Sequence, residues 1–238
     1  MHLMIVGASR GLGRAFVLGL GSPGDTVVGV SRQRPALNAR VDGPELTWIE
    51  ADLADPRAAA RAIAAACPPV LDVLIYNVGI WEAQAFTADY DFEHQDDDAT
   101  LDLVNINVAA PLLLLRRLMP QLAASARPRV ILTGSTSGLA RSGRPEVAFG
   151  ASKAALNGIA DALREGFRDR RLGVTCLQLG DLNTDDGLDA PRDSAAARDD
   201  GRTVPVHDVV HVVRTLLELS DASFVRELVM PAIADPRF

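Results

Sequence analysis

The chain contains 238 residues with 24 basic and 31 acidic side chains, so its formal net charge at pH 7 is −7. Its 48% hydrophobic and 23% charged residues are ordinary for a globular protein and exclude a disordered or collagen-like chain. The acidic balance argues against nucleic-acid binding, and the longest apolar runs, such as residues 108–115, are too short to span a membrane.

Short apolar, β-branched runs alternate with longer amphipathic segments along the whole chain. Several of these runs are apolar at nearly every position, which is typical of strands buried on both faces of a parallel sheet. The predicted strands are residues 2–6, 26–30, 46–50, 73–76, 129–133, 174–179 and 227–230.

Five helices are predicted between these strands. The second helix begins at Pro56 behind an Asp55 N-cap and runs to Ala66. The first has an apolar stripe, and the last three span about residues 99–119, 147–170 and 203–219. This alternation predicts an α/β fold: a single Rossmann-type doubly wound domain over residues 1–238, with about seven mostly parallel strands and helices on both faces.

Two segments lack this periodicity and follow strands at the carboxyl edge of the sheet, where open α/β sheets bind ligands. Residues 83–98 are acidic and end in three aspartates. They fit a ligand loop and a solvated surface loop equally well. Residues 181–201 are rich in Asp, Arg and Ala, and we interpret residues 181–204 as a substrate-binding lid.

A glycine-rich turn follows the first strand and passes directly into a helix. Glycines are needed where a backbone turns sharply and approaches a diphosphate too closely for a Cβ. The free N–H groups and the positive end of the helix dipole then hold the phosphate charge. The predicted phosphate-binding residues are Gly7, Ser9, Arg10, Gly11, Leu12 and Gly13.

The Gly-x-x-x-Gly-x-Gly spacing of this turn resembles that of the short-chain dehydrogenase/reductase family. Further family landmarks follow in order along the whole chain: Asp52-Leu53, Asn77 and Gly79 in Tyr-Asn-Val-Gly, Asn107, Ser135, Lys153, and Gly180 with Thr184. The resemblance implies that Asp52 and Leu53 contact adenine. It also implies that Asn77 and Gly79 line the cofactor and that Thr184 meets the nicotinamide carboxamide. Val6 and Leu179 replace the family's threonine and proline without removing a group essential for cofactor binding.

The residues at the end of the second strand predict which nicotinamide cofactor binds. A carboxylate there bonds the free ribose hydroxyls, whereas a 2′-phosphate requires cationic donors. The chain has Ser31 and Arg32 at this place, and Arg10 lies within the glycine turn. Guanidinium groups suit phosphate oxygens, so we predict NADP(H) as the cofactor.

The resemblance implies a catalytic tyrosine that donates a proton to a substrate carbonyl. It also implies a serine that holds the carbonyl oxygen, a lysine that binds the ribose and lowers the tyrosine pKa, and an asparagine that supports a proton relay. The chain has Asn107, Ser135 and Lys153, but Phe149 stands at the tyrosine position, one helical turn before Lys153. Loss of a general acid typically costs about 10²- to 10⁴-fold in rate, so we expect an impaired reductase.

Three interpretations of Phe149 remain open. The chain is an engineered or otherwise impaired reductase of a carbonyl or alcohol, a non-redox NADP-binding sensor or silent partner subunit, or an eliminase or isomerase that needs no phenol. Lys153 is the single lysine among 24 basic residues, which favours a site that once needed a compact ammonium. Tyr76, which ends the fourth strand beside the expected cofactor site, and Tyr90 in the acidic loop are the only tyrosines that could contribute a hydroxyl.

The remaining expectations concern partners and location. Residues 112–118 are apolar nearly all round and match the helix through which family members pair, which implies a homodimer or homotetramer, although core packing would give the same pattern. His207 and His211 lack a third ligand, so no metal is predicted. Cys67 and Cys176 predict reduced core thiols, and no signal peptide is visible. We expect a cytoplasmic protein that binds a small carbonyl or alcohol, but neither nucleic acid nor a membrane.

Overall fold

The computed structural model describes residues 1–37 and 42–238, which fold around a parallel sheet. Each of the seven predicted strands is confirmed to within one residue at either end. The strands of the main sheet are β1 His2–Val6, β2 Thr26–Ser31, β3 Glu45–Glu50, β4 Val73–Tyr76, β5 Arg129–Thr133, β6 Gly173–Leu179 and β9 Glu227–Met230. A second, two-stranded parallel sheet pairs β7 Leu182–Asn183 with β8 Val204–Pro205.

The strand order of the main sheet is β3-β2-β1-β4-β5-β6-β9, and every neighbouring pair is parallel. The chain therefore places β2 and β3 on one side of β1 and then crosses back to place β4 on the other side. This reversal opens a crevice at the carboxyl ends of β1 and β4, where doubly wound folds bind ligands.

Helices cover both faces of the sheet. Side chains alternate along β1, so that Leu3 and Ile5 enter one apolar core and Met4 and Val6 the other. The first core packs against α1 and α7, and the second against α2, α4 and α5. The helices are α1 Gly11–Gly19, α2 Pro56–Ala66, α3 Asp97–Val104, α4 Ala110–Ala123, α5 Val147–Gly166, α6 Arg192–Ala197 and α7 Val206–Glu218. The predicted Rossmann-type α/β domain is confirmed.

Some helix boundaries differ from the prediction. The helix expected over residues 147–170 ends at Gly166, and Arg168–Arg170 form a short 3₁₀ helix that leads to Arg171 in a left-handed conformation. The last helix begins at Val206 because the preceding residues pair as β8. The irregular segment 181–204 contains β7 and α6, which are too short to show periodicity.

The long helix between β4 and β5 spans residues 97–123 and contains a π-helical turn, Asn105–Ala109. Pro111 explains this turn, because it has no N–H to donate to the preceding turn. The Ala110 N–H bonds to the Asn105 carbonyl, so the Ile106 carbonyl has no backbone donor in the helix. The Tyr76 hydroxyl donates to that carbonyl at 2.7 Å.

By length and composition this helix is apolar enough to cross a membrane. Its side chains Leu114, Leu118 and Leu122 are fully buried in the core shared with α2 and the sheet. This packing is that of the core helix of an α/β domain.

Candidate active site

The glycine turn occupies the crevice between β1 and β4. The Gly7 and Ala8 N–H groups both donate to the Val30 carbonyl, at 2.9 and 3.1 Å, which fixes the turn against β2. A Cβ on Gly7 would come 2.5 Å from the Asn77 carbonyl oxygen, and Gly7 has a left-handed φ of +86°. A Cβ on Gly13 would overlap the Gly7 carbonyl oxygen. No side chain fits at either position, which leaves the N–H groups at the start of α1 open to a ligand.

Two other predicted cofactor residues meet this turn. The Asn77 amide lies beside Gly13, and the Asn77 N–H donates to the Val6 carbonyl at 2.9 Å. The Thr184 side chain lies over Gly11, where a Cβ would come 3.3 Å from the Thr184 Cβ. The segment predicted as a lid therefore begins against the glycine turn.

The predicted 2′-phosphate residues lie at the neighbouring ends of β1 and β2. Arg10 and Arg32 are exposed, and neither guanidinium forms an ion pair within residues 1–37 and 42–238. The Ser31 hydroxyl donates to the Gln33 carbonyl at 2.6 Å and accepts from the Trp48 indole at 3.1 Å. The two predicted adenine contacts, Asp52 and Leu53, follow β3 on the same edge.

Lys153 lies at the centre of the predicted catalytic group. Its ammonium donates to the Thr133 carbonyl at 2.9 Å and lies 5.6 Å from the centroid of the Phe149 ring. A Cβ on Gly79 would come 2.9 Å from Lys153 Nζ, so this glycine makes room for the lysine. The side chain is nearly fully buried, and burial lowers the pKa of Lys153 to about 8.

This shift predicts how Lys153 affects stability as the pH changes. Between pH 8 and 10.5 the unfolded chain holds more protons at this lysine than the folded chain does, so the lysine's unfavourable contribution is relieved as the pH rises. We expect the unfolding free energy of the native protein, relative to that of Lys153→Met, to increase by up to about 3 kcal/mol as the pH rises over this range. Urea denaturation of both proteins measures the difference and cancels other titrating groups. Parallel curves would contradict the shifted pKa.

Asn107 connects two elements of the site from the π-helical turn. Its amide nitrogen donates to the Ile80 carbonyl at 2.8 Å and to the Ser152 hydroxyl at 2.9 Å, and its oxygen accepts from the Ile80 N–H at 2.9 Å. This buried side chain therefore ties the segment after β4 to α5, immediately beside Lys153.

Ser135 lies beyond the end of β5 and is held by a network that the sequence did not predict. Its hydroxyl accepts from the Ser137 N–H at 3.1 Å, and its own N–H donates to Gln178 Oε1 at 3.2 Å. The fully buried Gln178 also donates to Asn157 and Glu227, at 2.6 and 2.7 Å. These partners are 21 to 49 residues from Gln178 in the chain, so no local pattern indicates them.

Phe149 belongs to a cluster of three aromatic rings. Its ring centroid is 5.2 Å from that of Phe86 and 6.4 Å from that of Trp81, and both contacts are edge-to-face. Trp81 and Phe86 are themselves 5.8 Å apart. Residues 80–98, which follow β4 and include the acidic loop, thus supply an aromatic wall of Trp81 and Phe86 against Phe149, so this loop is part of the candidate site.

The same loop also caps α5. Glu82 Oε1 accepts from the Ala148 N–H at 2.6 Å and from the Tyr90 hydroxyl at 3.1 Å, and Oε2 accepts from the Phe149 N–H at 3.1 Å. The Tyr90 hydroxyl accepts from the Val147 N–H at 3.0 Å. A carboxylate at this end of α5 also interacts favourably with the helix dipole. Sequence analysis missed Glu82, because its partners at the start of α5 are more than 60 residues away.

Neither tyrosine hydroxyl is hydrogen-bonded to Lys153: that of Tyr76 donates to the Ile106 carbonyl, and that of Tyr90 accepts from the Val147 N–H. Tyr76 ends β4 next to the crevice, but its ring is buried in the core on the α2 side, where burial raises its pKa. The Tyr90 hydroxyl is engaged at the start of α5, and burial together with the Glu82 carboxylate raises its pKa. Within the described residues no group of three His, Cys, Asp or Glu side chains is placed to hold a metal ion.

Comparison with known proteins identifies the family to which the chain belongs. The model of the short chain dehydrogenase family matches residues 1–193. An uncharacterized short-chain type dehydrogenase/reductase from Sinorhizobium fredii is 32% identical over 232 residues, which cover 96% of this chain and 90% of the relative.

Two solved structures have the same fold. A metagenomic short-chain oxidoreductase in complex with NADP has a TM-score of 0.69 at 27% identity, over 98% of this chain and 97% of that one. The Pseudomonas aeruginosa RhlG/NADP active-site complex has a TM-score of 0.77 at 23% identity, over 98% and 95% of the two chains. On the family match and the relative from Sinorhizobium, the chain belongs to the short-chain dehydrogenase/reductase family.

Proposed function

We propose that this chain is an NADP(H)-dependent oxidoreductase for a carbonyl or alcohol, impaired because Phe149 stands where family members have the general-acid tyrosine. The observation that carries the proposal is the buried Lys153 ammonium, 5.6 Å from the Phe149 ring centroid and held against the Thr133 carbonyl. Burial of a lysine without a carboxylate partner is unfavourable, so such a site has a functional explanation more readily than a structural one.

The residues of the crevice fit a dinucleotide. Gly7 and Gly13 leave no room for side chains and keep the N–H groups at the start of α1 free, as a diphosphate requires. Arg10 and Arg32 are exposed at the neighbouring strand ends, and β2 ends in Ser31 rather than a carboxylate. These features favour the 2′-phosphate of NADP(H), and one relative of similar length was solved in complex with NADP.

NADPH, when bound, would supply the hydride for reduction of a substrate carbonyl. The Ser135 hydroxyl would hold the carbonyl oxygen, and Lys153 would bind the ribose and place a positive charge beside the reacting oxygen. Phe149 cannot supply the proton that this oxygen needs, which is why we expect the chain to be slow. Asn107 keeps the segment after β4 and α5 in fixed relation.

A second candidate function rests on the packing of Phe149. Its ring makes edge-to-face contacts with Phe86 and Trp81, as a natural core phenylalanine would. This favours a natural chain that binds NADP(H) without redox chemistry, as a sensor, a silent subunit, or an eliminase or isomerase. Turnover by the Phe149→Tyr protein separates the two functions.

The two arginines give a test of cofactor choice. We expect the double variant Arg10→Gln/Arg32→Gln to bind NADPH about 100-fold more weakly, because two charge-assisted contacts to the 2′-phosphate are lost. NADH affinity should change by less than about threefold, since NADH lacks that phosphate. Cofactor fluorescence measures both affinities, and Arg57→Gln on the exposed side of α2 is the matched control. Equal losses for NADH and NADPH would contradict the assignment.

We also propose that residues 181–204 form a substrate lid and that the chain forms a homodimer or homotetramer. Contact of Thr184 with the glycine turn supports the lid. The exposed apolar side chains Leu101, Val104 and Leu112 on one long helix support pairing through that helix. Free Cys67 and Cys176 thiols suit a cytoplasmic protein. The proposed partners are a small carbonyl or alcohol, with no nucleic acid or membrane.

A further inference from the structure

Two buried carboxylates lie behind the aromatic wall. Glu82 is 6% exposed and Glu146 is 2% exposed, and neither forms an ion pair within the described part of the chain. Glu82 accepts three hydrogen bonds. Glu146 Oε1 accepts from the Phe86 N–H at 2.9 Å, but its Oε2 has no partner among residues 1–37 and 42–238. Because both oxygens belong to one carboxyl group, the unpartnered oxygen also lies beside the aromatic wall.

The loop that carries this wall adds further negative charge. Residues 80–98 contain seven carboxylates and no Lys or Arg, and no Lys or Arg occurs anywhere between Arg61 and Arg116. The one histidine of the segment, His94, pairs with Asp91 at 2.7 Å. The loop is fixed over the start of α5 by the Glu82 and Tyr90 hydrogen bonds. Its charge therefore lies at one side of the candidate site, where it attracts cations and repels anions.

Trp81 is the ring of the cluster that remains open to a ligand. Its side chain is 57% exposed, whereas Phe149 is buried and already lies near the Lys153 ammonium. Indole is the aromatic group that binds ammonium cations best, and nearby carboxylates strengthen the attraction. The site thus has one end, at Lys153 and Ser135, for an oxygen and another, at Trp81, for a cation.

We propose that this site takes a cationic substrate: a carbonyl compound or alcohol that also has an ammonium group, which binds at Trp81. This inference rests on the proposed function and names its substrate class. The hydroxyl or carbonyl oxygen lies toward Lys153, and the ammonium group lies against the exposed indole of Trp81, with the buried Glu82 and Glu146 carboxylates behind the wall attracting it through space.

The test uses Trp81 as its own reporter. In the full-length Trp48→Phe variant, Trp81 is the only tryptophan, so its fluorescence reports binding at the wall without turnover. The probes are choline, its uncharged carbon isostere 3,3-dimethylbutan-1-ol, and the anion 3,3-dimethylbutanoate. We expect choline to bind at least about tenfold more tightly than the isostere, and the anion to bind most weakly.

Charge variants and salt identify the origin of the preference. Glu146→Gln should bring choline and its isostere toward equal affinity, whereas Glu218→Gln, at the exposed end of α7, should leave the preference unchanged. If Glu146→Gln does not fold, raising NaCl from about 20 to about 300 mM should weaken choline binding alone. Equal affinity of choline and the isostere, tighter binding of the anion, or no binding of any probe would each overturn the inference.

The experiments distinguish failure of this inference from failure of the proposed function. If Phe149→Tyr reduces uncharged carbonyls with NADPH while choline shows no preference, the reductase remains and the cationic substrate is wrong. If choline is preferred but no carbonyl is reduced, the site binds cations without redox chemistry.

Discussion

Replacement of Phe149 by tyrosine is expected to raise NADPH-dependent reduction of simple ketones, diketones or aldehydes by about 10²- to 10⁴-fold. The new hydroxyl would extend from a ring whose centroid is 5.6 Å from the Lys153 ammonium. A nearby positive charge stabilises the phenolate and so brings the tyrosine pKa closer to neutrality, where proton transfer is efficient. NADPH oxidation measured across a carbonyl panel, after cofactor binding is confirmed by fluorescence, gives the comparison.

Phe86→Tyr is the matched control for this gain. It adds the same hydroxyl to the same aromatic cluster, 5.2 Å away between ring centroids, but on the loop after β4 rather than one helical turn from Lys153. We expect it to leave turnover at the level of the original chain. If both variants bind NADPH and neither reduces any panel compound, the non-redox candidate function takes precedence over the reductase.

Gly13→Ala is expected to destabilise the protein by at least about 3 kcal/mol and to weaken NADPH binding by about 100-fold. The added methyl group would overlap the Gly7 carbonyl oxygen and press on the Asn77 amide, so the backbone of the turn must shift. That shift moves the N–H groups that are aimed at the diphosphate. Urea denaturation gives the change in stability, and cofactor fluorescence gives the affinity.

The control is the same substitution in another helix. A Cβ on Gly158, on the exposed side of α5, meets no atom within 4 Å. Gly158→Ala should therefore stabilise the protein by about 0.5–1 kcal/mol through helix propensity and leave NADPH affinity unchanged. A Gly13→Ala protein with native stability and affinity would show that the turn relaxes freely and does not hold the phosphate in the way proposed.

The strands were predictable because their signal is local. Residues of β4 and β5 are almost all apolar and β-branched or aliphatic, and burial on both faces of the sheet needs nothing more. The π-helical turn was not predicted, although Pro111 marks it, because an isolated proline in an apolar run is compatible with several local distortions.

The glycine turn was predicted from its spacing after a strand, and Lys153 from the resemblance to the short-chain dehydrogenase/reductase family. Gln178, Glu82 and Trp81 were missed. Gln178 bonds to residues 21, 43 and 49 positions away, and Glu82 bonds across 66 residues. Such contacts depend on how the loops fold over the sheet edge, and no periodicity in the chain encodes them.

The solitary Lys153 gives this protein an unusual amine chemistry. Lys153 is the single lysine among the 238 residues, and its ammonium is buried at the candidate catalytic position. An isotope label introduced on lysine side chains would therefore give one resonance from these residues, and it would come from inside the site. The interior can thus be observed during ligand binding without any engineered probe.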